Sequence, residues 1–219
     1  MALNKLKFNS LNVTPAASEA IRFNSSANGL ETASAGGSLV KIASTTASSS
    51  SSISFTSGIT STYKEYIFFF NNIHPATDNV SFEFNLSTDS GSNYNVTKTT
   101  TFFRAYHNES DSGTSLSYNA SADLAQSTSY QPLISNTASE GIGNDNDQNG
   151  VGYLHIFNPS STTIVKHIIS TMQYNQKDDY SINTYIAGYG NTTSAVDAVR
   201  FQMSSGNIDS GTITMYGVL

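Results

Sequence analysis

Tyr153-Leu154-His155-Ile156-Phe157-Asn158-Pro159-Ser160 opens the stretch on which the fold turns. Two further phrases follow it in order: Ile182 to Thr193 (INTYIAGYGNTT), then Phe201-Gln202-Met203-Ser204-Ser205-Gly206-Asn207-Ile208 running on to Gly211-Thr212-Ile213-Thr214-Met215-Tyr216-Gly217. Each joins a short apolar-aromatic strand to a small polar turn. The last phrase lies two residues from the C-terminus, so the expectation is a chain whose end is tied into a sheet. This is an all-β pattern, and it points away from an enzyme.

The same grammar extends upstream. Tyr66 to Phe70 (YIFFF) is a near-continuous apolar run, the mark of a strand buried on both faces. Val80, Phe82, Phe84 and Leu86 alternate with Asn79, Ser81, Glu83 and Asn85, which predicts a half-buried strand with one polar face. Lys98 to His107 reads as a strand with Phe103, Ala105 and His107 on one side and Phe102, Arg104 and Tyr106 on the other. Ala120 to Gln126 could form one or two helical turns, Leu133-Ile134 a short strand, and Glu140 to Gly150 a loop. Further strands are expected at 152–158, 164–174, 180–189, 196–203 and 211–218. Eight or so short strands separated by turn signals suit a jelly-roll-like antiparallel β-sandwich, with no amphipathic helix of useful length and no internal repeat.

The N-terminal 38 residues read differently. Leu6, Phe8, Leu11 and Val13 alternate loosely before Pro15, Ile21 and Phe23 suggest a short strand, and Asn28-Gly29 is a turn signal. Residues 1–38 are therefore expected to be an extended arm or a first hairpin, with 39–219 forming the sandwich. The Ser/Thr tract from Ala43 to Ser52 is linker-like by composition, yet Ile53 and Phe55 alternate directly after it, so part of it fits a strand.

Composition narrows the function. The 219 residues are 37% hydrophobic and only 12% charged, with 12 Tyr, 12 Phe and no Trp. Low charge with abundant aromatics indicates a packed core, not disorder. The net charge of −6, with ten scattered Lys and Arg, argues against a nucleic-acid partner. No cysteine is present, which removes disulfides and thiolate metal sites. No apolar run reaches membrane-spanning length, so no membrane partner is expected. Met1 to Phe8 lacks the apolar segment of a signal peptide, and the Asn-x-Ser/Thr triplets follow from Asn, Ser and Thr abundance.

Lys64 to Pro75 (KEYIFFFNNIHP), Phe103 to Glu109 (FRAYHNE), Phe157 to Thr163 (FNPSSTT), and Ser205-Gly206-Asn207 with Gly211 to Gly217 together resemble a family of small virion structural proteins of marine tailed bacteriophages. The opening Leu6-Lys7-Phe8-Asn9 and Leu11 to Pro15 fit the same resemblance. It implies a phage particle component, described in that family as a virion structural or tail-fibre protein. It brings no catalytic residues and does not place the protein on the particle.

Candidate sites are few. Asp145-Asn146-Asp147-Gln148-Asn149-Gly150 matches the first half of a calcium loop, with Asp145, Asp147 and Asn149 as candidate metal ligands. The twelfth position, which needs a bidentate Glu, holds Ile156, so a plain polar hairpin loop is the competing reading. His155 and His167 lie on adjacent predicted strands, as a metal pair or as ordinary sheet residues. Tyr94, Tyr118 and Tyr130 stand near loops as candidate glycan contacts, because a sugar's apolar face stacks on aromatic rings, or they cap the sandwich. No nucleophile elbow, phosphate loop or H-E-x-x-H occurs, and Glu83, Glu109, Asp111 and Asp123 are not paired by spacing. The expectation is a non-enzymatic protein of the virion, assembled in the host cytoplasm: a capsid decoration or cement protein contacting the major capsid protein through Leu6, Phe8, Leu11 and Val13. A homo-oligomer such as a trimer would cover its sheet edges. The alternative is a tail-fibre or tail-tip protein that binds a receptor glycan.

Overall fold

A computed structural model describes residues 19–34 and 38–219. Leu6, Phe8, Leu11 and Val13, the expected contact residues, lie outside the described residues. The chain divides into two units, residues 1–40 and 41–219.

In the first unit, β1 (Glu19–Phe23) and β2 (Leu30–Ser34) form an antiparallel hairpin. Its turn is the one signalled by Asn28-Gly29. Asn24 closes it: its N–H donates to Gly29 O at 2.9 Å and its Nδ2 to Asn28 Oδ1 at 2.9 Å. Ala27 takes a left-handed conformation there (φ 55°). Arg22 pairs with Glu31 across the two strands at 3.0 Å.

The remaining strands are β3 (Leu39–Thr46), β4 (Ile53–Phe55), β5 (Glu65–Pro75), β6 (Phe82–Ser87), β7 (Lys98–Asn108), β8 (Thr114–Tyr118), β9 (Gln131–Ile134), β10 (Gly150–Phe157), β11 (Lys166–Gln176), β12 (Tyr180–Gly190), β13 (Ala198–Met203) and β14 (Ile208–Val218). They form an eight-stranded sheet, β3-β14-β5-β10-β11-β12-β7-β8, and a four-stranded sheet, β4-β13-β6-β9. With β7, β8, β11 and β12 set aside, the other strands pair first with last, second with seventh, third with sixth and fourth with fifth: β3 with β14, β4 with β13, β5 with β10, β6 with β9. That nested pairing is a long antiparallel ribbon rolled into two sheets, which is jelly-roll topology. The hairpins β7-β8 and β11-β12 are insertions into this ribbon, and both extend the large sheet beyond the free edge of β10.

One core lies between the sheets. Tyr66, Phe68 and Phe70 of β5 face inward and are fully buried, while Phe69 on the alternate face is half-buried, so the YIFFF run has one core face and one outer face. Phe201 of β13 is the hub. Its ring lies 5.3 Å from Phe68, 5.2 Å from Phe70, 6.0 Å from Phe82, 6.3 Å from Phe55 and 6.4 Å from Phe84. It thereby joins both sheets through edge-to-face and offset contacts, each favoured by the ring quadrupole. The polar face expected on β6 is not solvated: Ser81 and Asn85 are buried, because the chain after the strand folds back over them. Asn85 Nδ2 donates to Tyr94 O and Thr128 O at 2.7 and 2.9 Å. Ala120 to Gln126 contains no helix. Its backbone bonds to β7 instead, Leu124 O accepting from Thr100 N at 2.9 Å. β5 and β14 shift register between Ile208 and Thr212. Gly211 sits in that irregularity at φ 118°, where a Cβ would come within 2.6 Å of Asn72 O.

Two lysines are buried in the same layer. Lys98 and Lys166 flank Gly190 in register on either side of β12. Lys98 Nζ donates to Asn85 Oδ1 at 2.5 Å and Val96 O at 2.8 Å; Lys166 Nζ donates to Ile164 O at 2.6 Å and Thr192 O at 3.2 Å. The acceptors are neutral oxygens, so burial dominates and pushes the Lys98 ammonium down to about 7 and that of Lys166 down as well. An unfolded Lys titrates near 10.4. Between about pH 7 and 10 the unfolded chain therefore holds a proton that folded Lys98 releases, and stability rises with pH across that window.

Two predictions follow from this packing. Phe201→Ala should lose about 3–5 kcal/mol in urea denaturation, the range for truncating a buried aromatic. Thermal unfolding followed by circular dichroism should show the midpoint rising from pH 7 to pH 9.5, with most of the rise gone in Lys98→Met; an unchanged rise in that variant would contradict the burial argument.

Candidate functional site

Strand parity and register place a row of rings on the outer face of the large sheet. Tyr118, Phe103, Tyr185, Thr171, Tyr153, Phe69 and Thr214 occupy matched positions on β8, β7, β12, β11, β10, β5 and β14. At the usual inter-strand spacing this row runs roughly 29 Å. Phe103 and Tyr185 stack at 5.0 Å with their planes 14° apart, Tyr153 meets His155 at 5.0 Å, and Phe69 meets Tyr216 at 5.7 Å.

The flanking rows are similar. On one side lie Leu116, Ala105, Asn183, Gln173 and Val151; on the other, Thr101, Ala187, Ile169, His155, Ile67 and Tyr216. None of these side chains is Asp, Glu, Lys or Arg. Leu116 is 72% exposed, Tyr118 54%, Ile169 48%, Tyr185 42% and Phe103 40%. Exposed apolar side chains on this face are interleaved with neutral polar ones such as Thr171, Gln173 and Asn183, while Ile67 is buried. His155 is the one imidazole in these three rows, and its Nδ1 bonds to Glu65 at the margin.

The four-stranded sheet carries a smaller cluster on its outer face. Arg200 of β13 lies with its guanidinium 4.0 Å from the Tyr94 ring centroid, and its Nε donates to Ser54 Oγ of β4 at 3.0 Å. Tyr130 joins the same guanidinium; burial raises its phenol pKa, and the Arg200 hydrogen bond opposes that rise. Next in the sheet, Gln202 Nε2 donates to Glu83 Oε1 at 2.9 Å. Burial raises the Glu83 carboxyl above its ordinary value, partly offset by that bond. Of the three candidate glycan tyrosines, the fold thus brings Tyr94 and Tyr130 together around Arg200. Tyr118 is on the other sheet, where its hydroxyl bonds to Asp123 and its pKa rises mainly for that reason. Tyr63 packs edge-on against Tyr66 at 5.8 Å and caps the sandwich.

The loop after Glu140 is organised from within by Gln148. Its side chain is buried, Oε1 accepting from Asp145 N at 3.2 Å, while its own N–H donates to Asp145 O at 2.9 Å. Asp145 O also faces His74 Nε2 at 3.2 Å. Asn149 O accepts from Asn175 N at 3.2 Å. The Asp145 and Asp147 side chains are exposed, and among the described residues no group of three or more His, Asp or Glu is placed to hold a metal ion. His155 and His167 share the outer face of the large sheet but are engaged separately, His155 with Glu65 and His167 against the Tyr189 ring at 6.3 Å. Among the described residues no helix is long and apolar enough to cross a membrane.

Sequence reasoning found the strands that bear the aromatic row except β8, which lies in a stretch too polar to read as a strand, and it missed the row itself. The alternation within one strand says which side chains share a face; it does not say which position of the next strand lies opposite. Arg200 and Glu83 were missed as partners of Tyr94 and Tyr130 for the same reason.

No protein-family model matches the chain, and no curated protein or solved structure matches it either.

Gly143→Ala tests the loop. A Cβ there would fall 1.7 Å from Gln148 Oε1 and 2.9 Å from the Lys177 backbone. The variant should lose about 1–3 kcal/mol of stability in urea denaturation, against a change within about 0.5 kcal/mol for the exposed Asp147→Asn.

Proposed function

We propose that the protein is a non-enzymatic structural component of a phage virion, a capsid decoration or cement protein that seats the outer face of its large sheet on the major capsid protein. The observation that carries this reading is the uncharged aromatic row, Tyr118 to Phe69, with Leu116 and Ile169 exposed beside it. An apolar face of that extent is stabilised by being covered, at roughly 25 cal/mol for each Å² removed from water. Its lack of charge suits a shell contact that must survive wide changes in salt, since ionic contacts weaken under screening. The resemblance of the strand-and-turn phrases to marine phage virion proteins favours the same reading, and a jelly roll is at home in capsid architecture. Closed self-association, most simply a trimer, fits an assembly of this kind.

A second reading is a tail-tip protein that recognises a receptor glycan. It is favoured by the tray formed by Tyr94, Arg200 and Tyr130, where rings and a fixed guanidinium stand together on the opposite sheet.

Quantitative mass spectrometry of purified particles against the major capsid protein separates the two. Hundreds of copies per particle support the decoration role; a few to a few tens support the tail role; absence from the particle contradicts both. In the decoration role, Tyr185→Lys and Phe103→Lys should each weaken binding to undecorated particles by about tenfold or more while leaving the fold intact, because each places an ammonium against an apolar partner.

A further inference from the structure

The overhang of the large sheet leaves a half-open cavity of about 180 Å³ between β7, β12 and the loop before residue 141. Two tyrosines form its aromatic wall: Tyr106 and Tyr180 meet edge to face at 5.5 Å, and Ile182 adds an apolar patch. Opposite them stand Glu140, Gln176 and Asp178, together with the backbone at Ala138 and Ser139.

The polar side of this cavity is fixed in place. Gln176 Nε2 donates to Ser139 O at 2.7 Å and to Asp178 Oδ2 at 3.1 Å, and Gln176 Oε1 accepts from Asp178 N at 2.7 Å. Tyr174 OH donates to Glu140 O at 2.8 Å. Ala138 and Ser139 are both left-handed, at φ 56° and 63°, a conformation that non-glycine residues hold only when their surroundings enforce it.

Charge selects the ligand class. Both carboxylates are already matched: Glu140 Oε1 by Arg104, and Asp178 by Lys177 at 2.7 Å. A cation therefore meets no uncompensated charge, and an anion meets two carboxylates. Glu140 Oε2 is enclosed in the protein, so the carboxylate oxygens open to a ligand's hydroxyl donors are those of the exposed Asp178. Aromatic rings for an apolar face, a carboxylate oxygen for hydroxyl donors and a rigid polar wall are the groups that recognise a neutral sugar ring.

We propose that this cavity binds the terminal neutral pyranose of a glycan, with its apolar face stacked on Tyr106, Tyr180 edge-on beside it, and a hydroxyl directed to Asp178. The half-open mouth lets the rest of the glycan leave toward solvent. Tyr106 and Ile182 lie on the face of β7 and β12 opposite the aromatic row, so this site and the proposed shell contact can be occupied, or fail, independently.

The test is an amide NMR titration of the full chain with the methyl pyranosides of glucose, galactose, mannose and N-acetylglucosamine, each to about 100 mM, where a Kd of about 10 mM would be roughly nine-tenths saturated. The expected result is saturable shifts at Ser139, Glu140, Gln176 and Asp178 for at least one sugar. Tyr106→Leu, which keeps an apolar side chain and removes the ring, should weaken that affinity about tenfold, and Tyr180→Phe should weaken it less. No shift at those amides with any sugar overturns the proposal. So does binding that Tyr106→Leu leaves unchanged, or binding of the free reducing sugar without its methyl glycoside.

Discussion

The placement of β14 between β3 and β5 is the constraint on which the rest of the structure depends. It joins the two ends of the rolled ribbon, and the other nested pairs follow from it: β4 with β13, β5 with β10, β6 with β9. Once β14 is in place, β13 must lie over β5, and Phe201 falls among Phe68, Phe70 and Phe82. The pairing is long-range throughout. Ser44 meets Thr214 at 2.8 Å and Thr46 meets Thr212 at 3.0 Å, contacts between residues at opposite ends of the sandwich sequence. Bringing them together carries the loop-closure entropy of a high-contact-order fold, which is characteristic of all-β domains. The aromatic core offsets this entropy with large buried area per residue, in a chain with no disulfide to help.

The two inserted hairpins turn that scaffold into something with surfaces. Had the ribbon been uninterrupted, each sheet would have four strands and their inner faces would match. Adding β11-β12 and β7-β8 to one sheet alone lengthens its outer face, where the ring row runs, and leaves an inner overhang that the small sheet reaches only through β9, where Thr184 Oγ1 donates to Leu133 O at 2.7 Å. The chain between β9 and β10 covers more of it, Tyr174 OH donating to Glu140 O. What they leave unfilled is the tyrosine-lined cavity. The outer row and the inner cavity are thus two consequences of one architectural asymmetry.

Much of this was legible in the residues, and the part that was not has a common physical cause. Patterning located β6, β7 and β10 to β14 within a residue or three, and β5 only through Phe70, five residues short of its end at Pro75, since a strand's own side chains report its faces. Polarity misled where tertiary cover intervened. Asn85 reads as a solvent-facing strand residue, yet it is buried beneath the chain from Tyr94 to Thr128 and holds the ammonium of Lys98. A lysine at the start of a strand gives no sequence signal that its head will be enclosed. The segment at Ala120 to Gln126 has helix-forming residues but spends its backbone hydrogen bonds on β7. The half calcium motif was visible because it is local; the use of Gln148 as the loop's internal anchor was not, because its fit depends on Gly143 and on the turn at Lys177. Register between strands separated by dozens of residues lies outside what one sequence states, and both the aromatic row and the Arg200 tray are products of register.

The measurement that tests the account most directly is hydroxyl-radical footprinting of this protein in purified particles and free in solution, read residue by residue at Phe103, Tyr153 and Tyr185, with Tyr94 on the opposite sheet as the reference. The account predicts severalfold protection of the three row residues in the particle and little change at Tyr94. Equal oxidation of the row in both states, or protection confined to Tyr94, would contradict it.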